Sequence, residues 1–388
     1  MNRQYFPLPV SIYRGGTSKG VFLMENDLPK DPAQRDRIIL ALFGSPDPRQ
    51  IDGLGGADIT TSKVAIIGPS SHPEADVDYT FGQVSWTEAK VAYDGNCGNI
   101  SSAVGPFAID KGLIRAVEPV TTVRIHLTNT GHILKARVPV VDGRSAVEGD
   151  CVIGGVPGTG AAIEMDWSGA VGSCLGRLLP TGRVRDVVEA GGRQVEVSVA
   201  DAGNILVYVR AADVGIRGTE DPLALSADQN LMSLLEEIRG KICVELGLAA
   251  TWPGAVSESP YQPFVCVISA PSAYDTYTGK RIEAAEVDVV ARLTTFQTIV
   301  KAFPGSGTAT CGAAAKVKGG LLWEVLSPEA RQRETLRIGH PTGIITVDSL
   351  ADDDGDSPEP VIKKISFVRT ARPLLDGQAY IRASVINQ

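Results

Sequence analysis

The chain is organised around Asp94-Gly95-Asn96-Cys97-Gly98-Asn99, which continues as ISSAVGPFAID to residue 110. Glycine and asparagine tolerate the backbone angles of tight turns, so a turn is predicted here. The apolar segment after it is predicted to open a short helix that is interrupted near Gly105-Pro106. At a helix start, free N–H groups and the positive end of the helix dipole favour a thiolate and bind carboxylates. Cys97 is therefore a candidate reactive thiol, and the alternative is a buried cysteine in a glycine turn.

Short apolar runs that alternate with polar residues dominate the rest of the chain. They predict antiparallel sheets with one buried face. The clearest runs are residues 77–81, 123–127, 134–138, 195–199 and 206–209. Residues 8–13 and 20–24 are predicted strands on either side of a loop at 14–19, and Lys63 is predicted to begin a strand that continues over 64–67.

Two helices can be predicted from their end signals. Residues 32–43 follow Asp31, which is a good N-cap, and carry a helical apolar face. Residues 227–246 are predicted to form a second helix, in which Ser226 and Gln229 supply a capping box.

The second half of the chain contains an echo of the opening stretch. Residues 305–312 read GSGTATCG and lead into an alanine-rich segment, so Cys311 is also predicted to lie at a helix start. A turn, a cysteine and a helix in each half suggest two related domains. No long linker separates them, and the Pro-Thr-Gly turn at 180–182 is the best candidate boundary.

Composition excludes several classes of function. The formal charge of −8, with no basic run, argues against nucleic acid as a partner. Six cysteines occur singly and only four histidines are present, so a metal site of the usual spacing is not expected. No apolar stretch predicts a signal peptide or a membrane span, which makes the cytoplasm the expected compartment.

Nucleotide-binding motifs are also missing from the sequence. The glycine-rich run at 53–56 follows no apolar strand, and neither Thr-Ser-Lys segment has the spacing of a P-loop. We therefore expect no cofactor.

Several long motifs, in order, resemble the PrpF-type allylic isomerases. They are RGGTSKG at 14–20, DGLGG at 52–56, TSKV at 61–64 and VGPF at 104–107. The resemblance extends over nearly the whole chain and is closest to the methylitaconate delta-isomerases within that family.

The resemblance implies an α+β fold of the diaminopimelate-epimerase type. Two pseudo-symmetric domains are then expected, each with a mainly antiparallel sheet wrapped round a central helix, and with the site between them. The expected domains are residues 1–183, which carry Lys63 and Cys97, and residues 184–388. In that fold the last strand, here about 370–388, returns to the first domain.

The resemblance also implies the chemistry. A C=C bond would move by a 1,3-allylic proton shift in a small unsaturated di- or tricarboxylate, with Lys63 and Cys97 as the catalytic pair. Which of the two removes the proton is left open. The expected partner is that polycarboxylate, with neither nucleic acid nor membrane, and a homo-oligomer is an open alternative.

The candidate substrate-binding residues lie in four segments. One segment lies in the loop between the first two predicted strands, and another surrounds Cys97. A third is its counterpart by pseudo-symmetry in the second half, and the last is a histidine in a family motif. They are Gly16, Thr17 and Ser18; Asn96, Gly98 and Asn99; Ser306, Gly307 and Thr308; and His340.

Two alternatives stay open at this point. The first is a two-thiol epimerase or racemase of amino acids, with Cys311 as the second thiol facing Cys97. The second is a carboxylate-binding paralogue without activity, because relatives commonly carry a histidine just before the basic residue aligned with Lys301, and this chain has Val300 there.

Overall fold

The structure is a computed structural model that describes residues 4–352, 355 and 357–386. Its strands are β1 (Tyr5–Gly15), β2 (Ser18–Met24), β3 (Lys63–Pro69), β4 (Val77–Val84), β5 (Val91–Ala92), β6 (Val120–Leu127), β7 (His132–Val141), β8 (Arg144–Ser145), β9 (Ile163–Asp166), β10 (Asp186–Ala190), β11 (Arg193–Asp201), β12 (Ile205–Arg210), β13 (Phe264–Ser269), β14 (Tyr274–Asp275), β15 (Arg281–Ile282), β16 (Val289–Thr295), β17 (Thr298–Ile299), β18 (Thr335–His340), β19 (Gly343–Asp352), β20 (Val361–Arg369) and β21 (Ala371–Arg382). Its helices are α1 (Pro32–Phe43), α2 (Ser101–Asp110), α3 (Pro222–Ala227), α4 (Gln229–Glu245), α5 (Ala255–Glu258), α6 (Gly305–Ala314), α7 (Leu321–Val325), α8 (Pro328–Gln332) and α9 (Ala383–Ile386).

The chain divides into two compact units. The first contains Met1–Val152, Val156–Met165 and Arg369–Gln388, and the second contains Ile153–Gly155 and Asp166–Val368. The predicted boundary at residue 183 lies inside the second unit, and the exact domain limits stay a prediction.

The first unit is a mixed sheet round one helix. Its strand order is β21-β1-β2-β3-β4-β6-β7, with parallel pairs only at β2–β3 and β4–β6 among these described neighbours. Helix α2 is almost completely buried and contacts strands along most of this sheet. The central helix therefore brings its N-terminal turn close to β1 and the other strands packed against it.

The second unit repeats the same pattern of strand directions. Its order is β10-β11-β12-β13-β16-β18-β19-β20, and the parallel pairs are again the third and fifth, β12–β13 and β16–β18. Helix α6 is fully buried and packs on β11, β12 and β19. In each unit the buried central helix lies in the connection across the second parallel pair, as expected for the predicted fold.

Helix α1 has the predicted limits. The Asp31 carboxylate accepts the Gln34 N–H, Pro32 occupies the first position, and Gly44 ends the helix in the left-handed region at φ +73°.

The second predicted helix is wrong in detail, because it is two helices. Asp228 separates α3 from α4 and caps α4, its carboxylate accepting the Asn230 and Leu231 N–H groups. The Ser226 hydroxyl instead bonds back to the Pro222 carbonyl, so the predicted capping box does not form. A carboxylate one residue from the helix is the better-placed acceptor.

Helix α2 also differs from expectation, since it runs through Pro106 without interruption. Gly105 explains part of this: a Cβ at that position would lie 2.7 Å from a methyl of Val138. The close approach of helix and sheet holds the segment in place despite the hydrogen bond that proline cannot make. In the described part of the chain, no helix is long and apolar enough to cross a membrane.

Candidate active site

Lys63 begins β3 and lies between two neighbouring strands. Its register partners are Gly20 on β2 and Gln83 on β4. The side chain is 5% exposed, and its Nζ donates to the Gln83 Oε1 at 2.8 Å, with the Phe81 ring centroid 5.1 Å away. Among the described residues, the Lys63 amino group thus contacts a neutral amide and an aromatic face.

The loop before Lys63 is ordered by one buried glutamine. The Gln50 Oε1 accepts both the Ser62 hydroxyl, at 2.7 Å, and the Ala57 N–H, at 2.7 Å. The Gln83 amide nitrogen then donates to the Ser62 carbonyl at 2.9 Å. This network fixes the backbone immediately before Lys63, which is why the side chain has a defined position.

Cys97 lies where the predicted turn enters α2. The side chain is 3% exposed, its Sγ accepts the Ile100 N–H at 3.5 Å, and its carbonyl accepts the Ser101 N–H at 2.9 Å. The sulfur therefore takes the place of a capping oxygen at the positive end of the helix. This arrangement agrees with the prediction that the thiol is at a helix start.

The other residues of this turn are held by short-range bonds. The carbonyls of Gly98 and Asn99 accept the hydroxyls of Ser101 and Ser102, at 3.0 and 2.7 Å. The Asn96 side-chain amide donates to the Thr130 hydroxyl at 3.2 Å. All three predicted turn residues therefore lie with Cys97, and whether they bind substrate stays a prediction.

The predicted loop at 14–19 is a two-residue hairpin turn. Strands β1 and β2 extend to Gly15 and Ser18, so only Gly16 and Thr17 lie outside them. Gly16 has φ +51°, and a Cβ there would lie 2.3 Å from the Asn99 Oδ1. The glycine thus allows the hairpin end to rest on the Cys97 turn.

This hairpin supplies polar groups beside the turn. Ser18 is buried, and the buried Thr17 Oγ1 has no hydrogen-bond partner among the described residues. A buried hydroxyl without a partner costs free energy unless a ligand completes it. Gly20 is the register partner of Lys63 on β2 and also packs against Ile100, which follows Asn99 in the chain. Lys63 and the turn that carries Cys97 are therefore connected through Gly20 and Ile100.

Two site residues were missed by the sequence analysis, Gln83 and Arg369. Each is a polar residue that continues the buried phase of an alternating strand: Gln83 follows Phe81, and Arg369 follows Phe367. Arg369 is 3% exposed, and its Nε donates to the Asn99 Oδ1 at 3.0 Å. A polar residue at a strand position where the alternation predicts a buried side chain is the sequence signal that could have identified both residues.

The remaining predicted residues lie in the second unit. Ser306, Gly307 and Thr308 form the first turn of α6, where the Ser306 hydroxyl accepts from the Asn204 side-chain amide at 2.9 Å. The Thr308 hydroxyl bonds back to the Pro304 carbonyl at 2.9 Å. These residues lie at a helix N-terminus, where free N–H groups favour anions, and anion binding itself stays a prediction.

His340 ends β18 and is buried at 2% exposure, with its ring 6.1 Å from that of Phe303. Its Nδ1 lies 3.4 Å from the Thr342 nitrogen. Val300, where the family resemblance led us to expect a histidine, is also buried, at 6% exposure.

The prediction that Cys311 lies at a helix start is wrong. Helix α6 begins at Gly305, and its first backbone bond of the i to i+4 kind comes from the Thr308 N–H to the Pro304 carbonyl. Pro304 therefore occupies the place that Cys97 has before α2. Cys311 lies almost two turns further on, with its Sγ 3.5 Å from the Tyr208 hydroxyl and in contact with Cys266.

The surroundings of Cys311 are those of a core residue. Burial raises the pKa values of Tyr208 and Cys266 well above their ordinary range, so both stay protonated. A thiol among such groups lacks the helix-end environment that favours the thiolate. Among the residues that the structure describes, no group of three His, Cys, Asp or Glu side chains is arranged to hold a metal ion.

The chain is similar to named isomerases over nearly its whole length. The chain is 48% identical over 375 residues to the 3-methylitaconate isomerase of Eubacterium barkeri, covering 96% of this chain and 97% of the relative. It is 40% identical to the 4-oxalomesaconate tautomerase of Pseudomonas putida, covering 95% of each.

Solved structures show the same fold. A crystal structure of methylitaconate-delta-isomerase matches with a TM-score of 0.81 at 47% identity, covering 99% of this chain and 98% of the other. A hydroxyproline epimerase from Agrobacterium vitis matches with a TM-score of 0.59 at 15% identity, covering 98% and 94%, which is a likeness of fold alone. The predicted epimerase-like fold is thereby confirmed.

The family itself is established by a match to a family model. The model described as PrpF protein matches residues 6–382, which is nearly the whole chain. Together with the 48% identity given above, this match confirms the resemblance seen in the motifs. The chain therefore belongs to the PrpF family.

Proposed function

We propose that the chain is an isomerase that moves a C=C bond by a 1,3-allylic proton shift in a small unsaturated di- or tricarboxylate. The observation that carries the proposal is the pair formed by Lys63 and Cys97. A buried ammonium held by a neutral amide and a thiol at a helix start lie in the same unit, on neighbouring elements.

Such a reaction needs two proton transfers and stabilisation of a dienolate. The proton leaves a carbon next to a carboxylate-bearing double bond, charge spreads onto the carboxylate, and a proton returns to the far carbon. Lys63 and Cys97 are the groups that can take up and return these protons, in either order. General acid–base catalysis of this kind contributes about 10²–10⁴-fold to the rate.

The dienolate charge needs fixed donors near the carboxylate. The Thr17 hydroxyl, buried without a partner among the described residues, is one donor ready for a substrate oxygen. The start of α2 adds the positive end of a helix dipole. These groups bind anionic substrate and favour the transition state, in which the carboxylate carries more charge.

The substrate class follows from the relatives' names. 3-Methylitaconate and 4-oxalomesaconate are both small unsaturated acids with more than one carboxylate. A methylitaconate-like dicarboxylate is our first choice, because identity is higher to that isomerase than to the tautomerase. We also propose that the enzyme acts in the cytoplasm and needs no cofactor.

A substrate panel tests the function directly. Methylitaconate, 2-methylaconitate, aconitate and 4-oxalomesaconate are each incubated with enzyme and followed by absorbance and proton NMR. We expect a double-bond shift in at least one, with deuterium incorporated in deuterated water and with full activity after exhaustive chelation. Lys63→Ala and Cys97→Ser proteins, checked for folding by circular dichroism, serve as controls.

The outcomes separate the alternatives. Binding without deuterium exchange would indicate a carboxylate-binding paralogue and overturn the proposal. Exchange at a stereocentre of an amino acid, with no change in any unsaturated acid, would support an epimerase instead.

A further inference from the structure

A buried arginine lies at the edge of the Cys97 turn. Arg369 is the last residue of β20 and belongs to the same unit as Cys97. Its Nε donates to the Asn99 Oδ1 at 3.0 Å, and its Cδ would be 3.0 Å from a Cβ on Gly16. The Arg369 side chain is therefore packed against both the end of the β1–β2 hairpin and the turn that carries Cys97.

The residue after it anchors the same hairpin. The Thr370 carbonyl accepts the Gly16 N–H at 2.9 Å and the Arg14 guanidinium at 2.7 Å. Strands β1 and β21 pair along this whole stretch, with Arg14 opposite Arg372. The backbone that holds Arg369 is thus fixed on both sides, and the side chain has little freedom to leave the turn.

Arg369 keeps its charge although its side chain is buried. Burial lowers the pKa of Arg369 to about 10, and attraction to the Cys151 and Cys97 sulfurs acts in the opposite direction. The guanidinium therefore stays charged at neutral pH. A fixed positive charge near a thiol favours the thiolate form.

Other charged or titratable groups lie on the elements packed against this end of α2. They include Arg14 on β1, Lys63 on β3, Arg372 on β21, Asp94 in the turn itself and Cys151, whose backbone pairs with Gly160. Arg14 donates to the Gly16 and Thr370 carbonyls, and Lys63 donates to Gln83. Of these cations, Arg369 is the one that shares a hydrogen bond with the Cys97 turn.

We propose that Arg369 is a positioning residue for Cys97. Its guanidinium holds the amide oxygen of Asn99, which fixes the turn, and it supplies a buried positive charge beside the thiol. The role rests on the proposed function, because the turn is positioned for a reaction at Cys97. Arg369 acts through the turn and the thiol and is not itself assigned a contact with substrate.

The test uses alkylation of Cys97 by iodoacetamide, measured as a rate from pH 5 to pH 10 with peptide mass spectrometry to identify the modified cysteine. The variants are Arg369→Gln, which keeps a donor but loses the charge, and Arg369→Lys, which keeps the charge. Cys151→Ser is the matched control, because it removes the other thiol beside Arg369.

We expect Arg369→Gln to slow alkylation of Cys97 at pH 7 by at least about tenfold and to move the rise of its pH–rate profile to higher pH. Arg369→Lys should restore most of the rate, and Cys151→Ser should leave the profile unchanged. In turnover, Arg369→Gln should lower kcat more than it raises KM.

A purely structural role predicts a different pattern. Arg369→Gln would then lose thermal stability while its Cys97 profile stayed that of the wild type, and this result would overturn the proposal. If Arg369→Gln does not fold, Arg369→Lys decides: a profile like the wild type supports a role for charge, and a tenfold slower rate overturns it. Alkylation needs no substrate, so a failure of the substrate panel would not be confused with a failure here.

Discussion

Replacing Cys97 and Cys311 separately by serine tests the core of the mechanism. Both thiols are almost fully buried, at 3% and 1% exposure, so exposure alone does not distinguish them. They differ in place, because Cys97 caps the start of α2 whereas Cys311 lies within α6 against Tyr208. Of these two thiols, Cys97 is the one at a helix start, where a reactive thiol was predicted.

The expected magnitudes follow from these places. Cys97→Ser removes one of the two groups proposed to transfer protons, so kcat should fall by about 10²–10⁴-fold, the usual contribution of acid–base catalysis. Cys311→Ser buries a hydroxyl in the core and should cost about 1–3 kcal/mol of stability. Its kcat should stay that of the wild type.

The assay is kcat on the best substrate of the panel, with urea unfolding for each variant. Cys266→Ser is the matched control for Cys311→Ser, because the two buried thiols are in contact. It should show a similar loss of stability and full activity. An equal collapse of kcat in folded Cys97→Ser and Cys311→Ser proteins would refute the reasoning and favour a two-thiol epimerase.

Three further predictions concern the residues around Cys97. Lys63→Ala should lower kcat by several orders of magnitude with the circular dichroism spectrum unchanged, and a variant with a tenth of wild-type kcat would remove Lys63 from the mechanism. Gln83→Leu leaves the Lys63 ammonium without its 2.8 Å acceptor and should lower the free energy of unfolding by about 1–3 kcal/mol. An unchanged urea midpoint would contradict this buried bond. Gly16→Ala should raise KM, and it should lower the free energy of unfolding more than Gly131→Ala does. Both glycines have positive φ, but of the two only Gly16 has an atom within 4 Å of the added Cβ. Equal losses of unfolding free energy would show that the contact with Asn99 is unimportant.

Local features of the fold were predictable where neighbouring residues decide them. The ends of α1 follow from Asp31 and Gly44, and the start of β3 at Lys63 follows from the glycine-rich lead-in. The helix predicted at 227–246 failed because Asp228 competes with Ser226 for the cap. Capping depends on which side chain reaches the N–H groups, and two candidates so close in sequence are not separated by pattern alone.

The family, the turn at Cys97 and the position of Lys63 at a strand start could all be predicted from the sequence. These depend on turn chemistry, alternation and motif order, all of which are carried by residues close in the chain. The partners of these two residues were decided only by tertiary structure. Gln83 reaches Lys63 through strand register, and Arg369 reaches Asn99 across 270 positions of sequence. The place of Cys311 was likewise set by where α6 begins, since almost two turns of helix separate this thiol from the helix end and place it in the core.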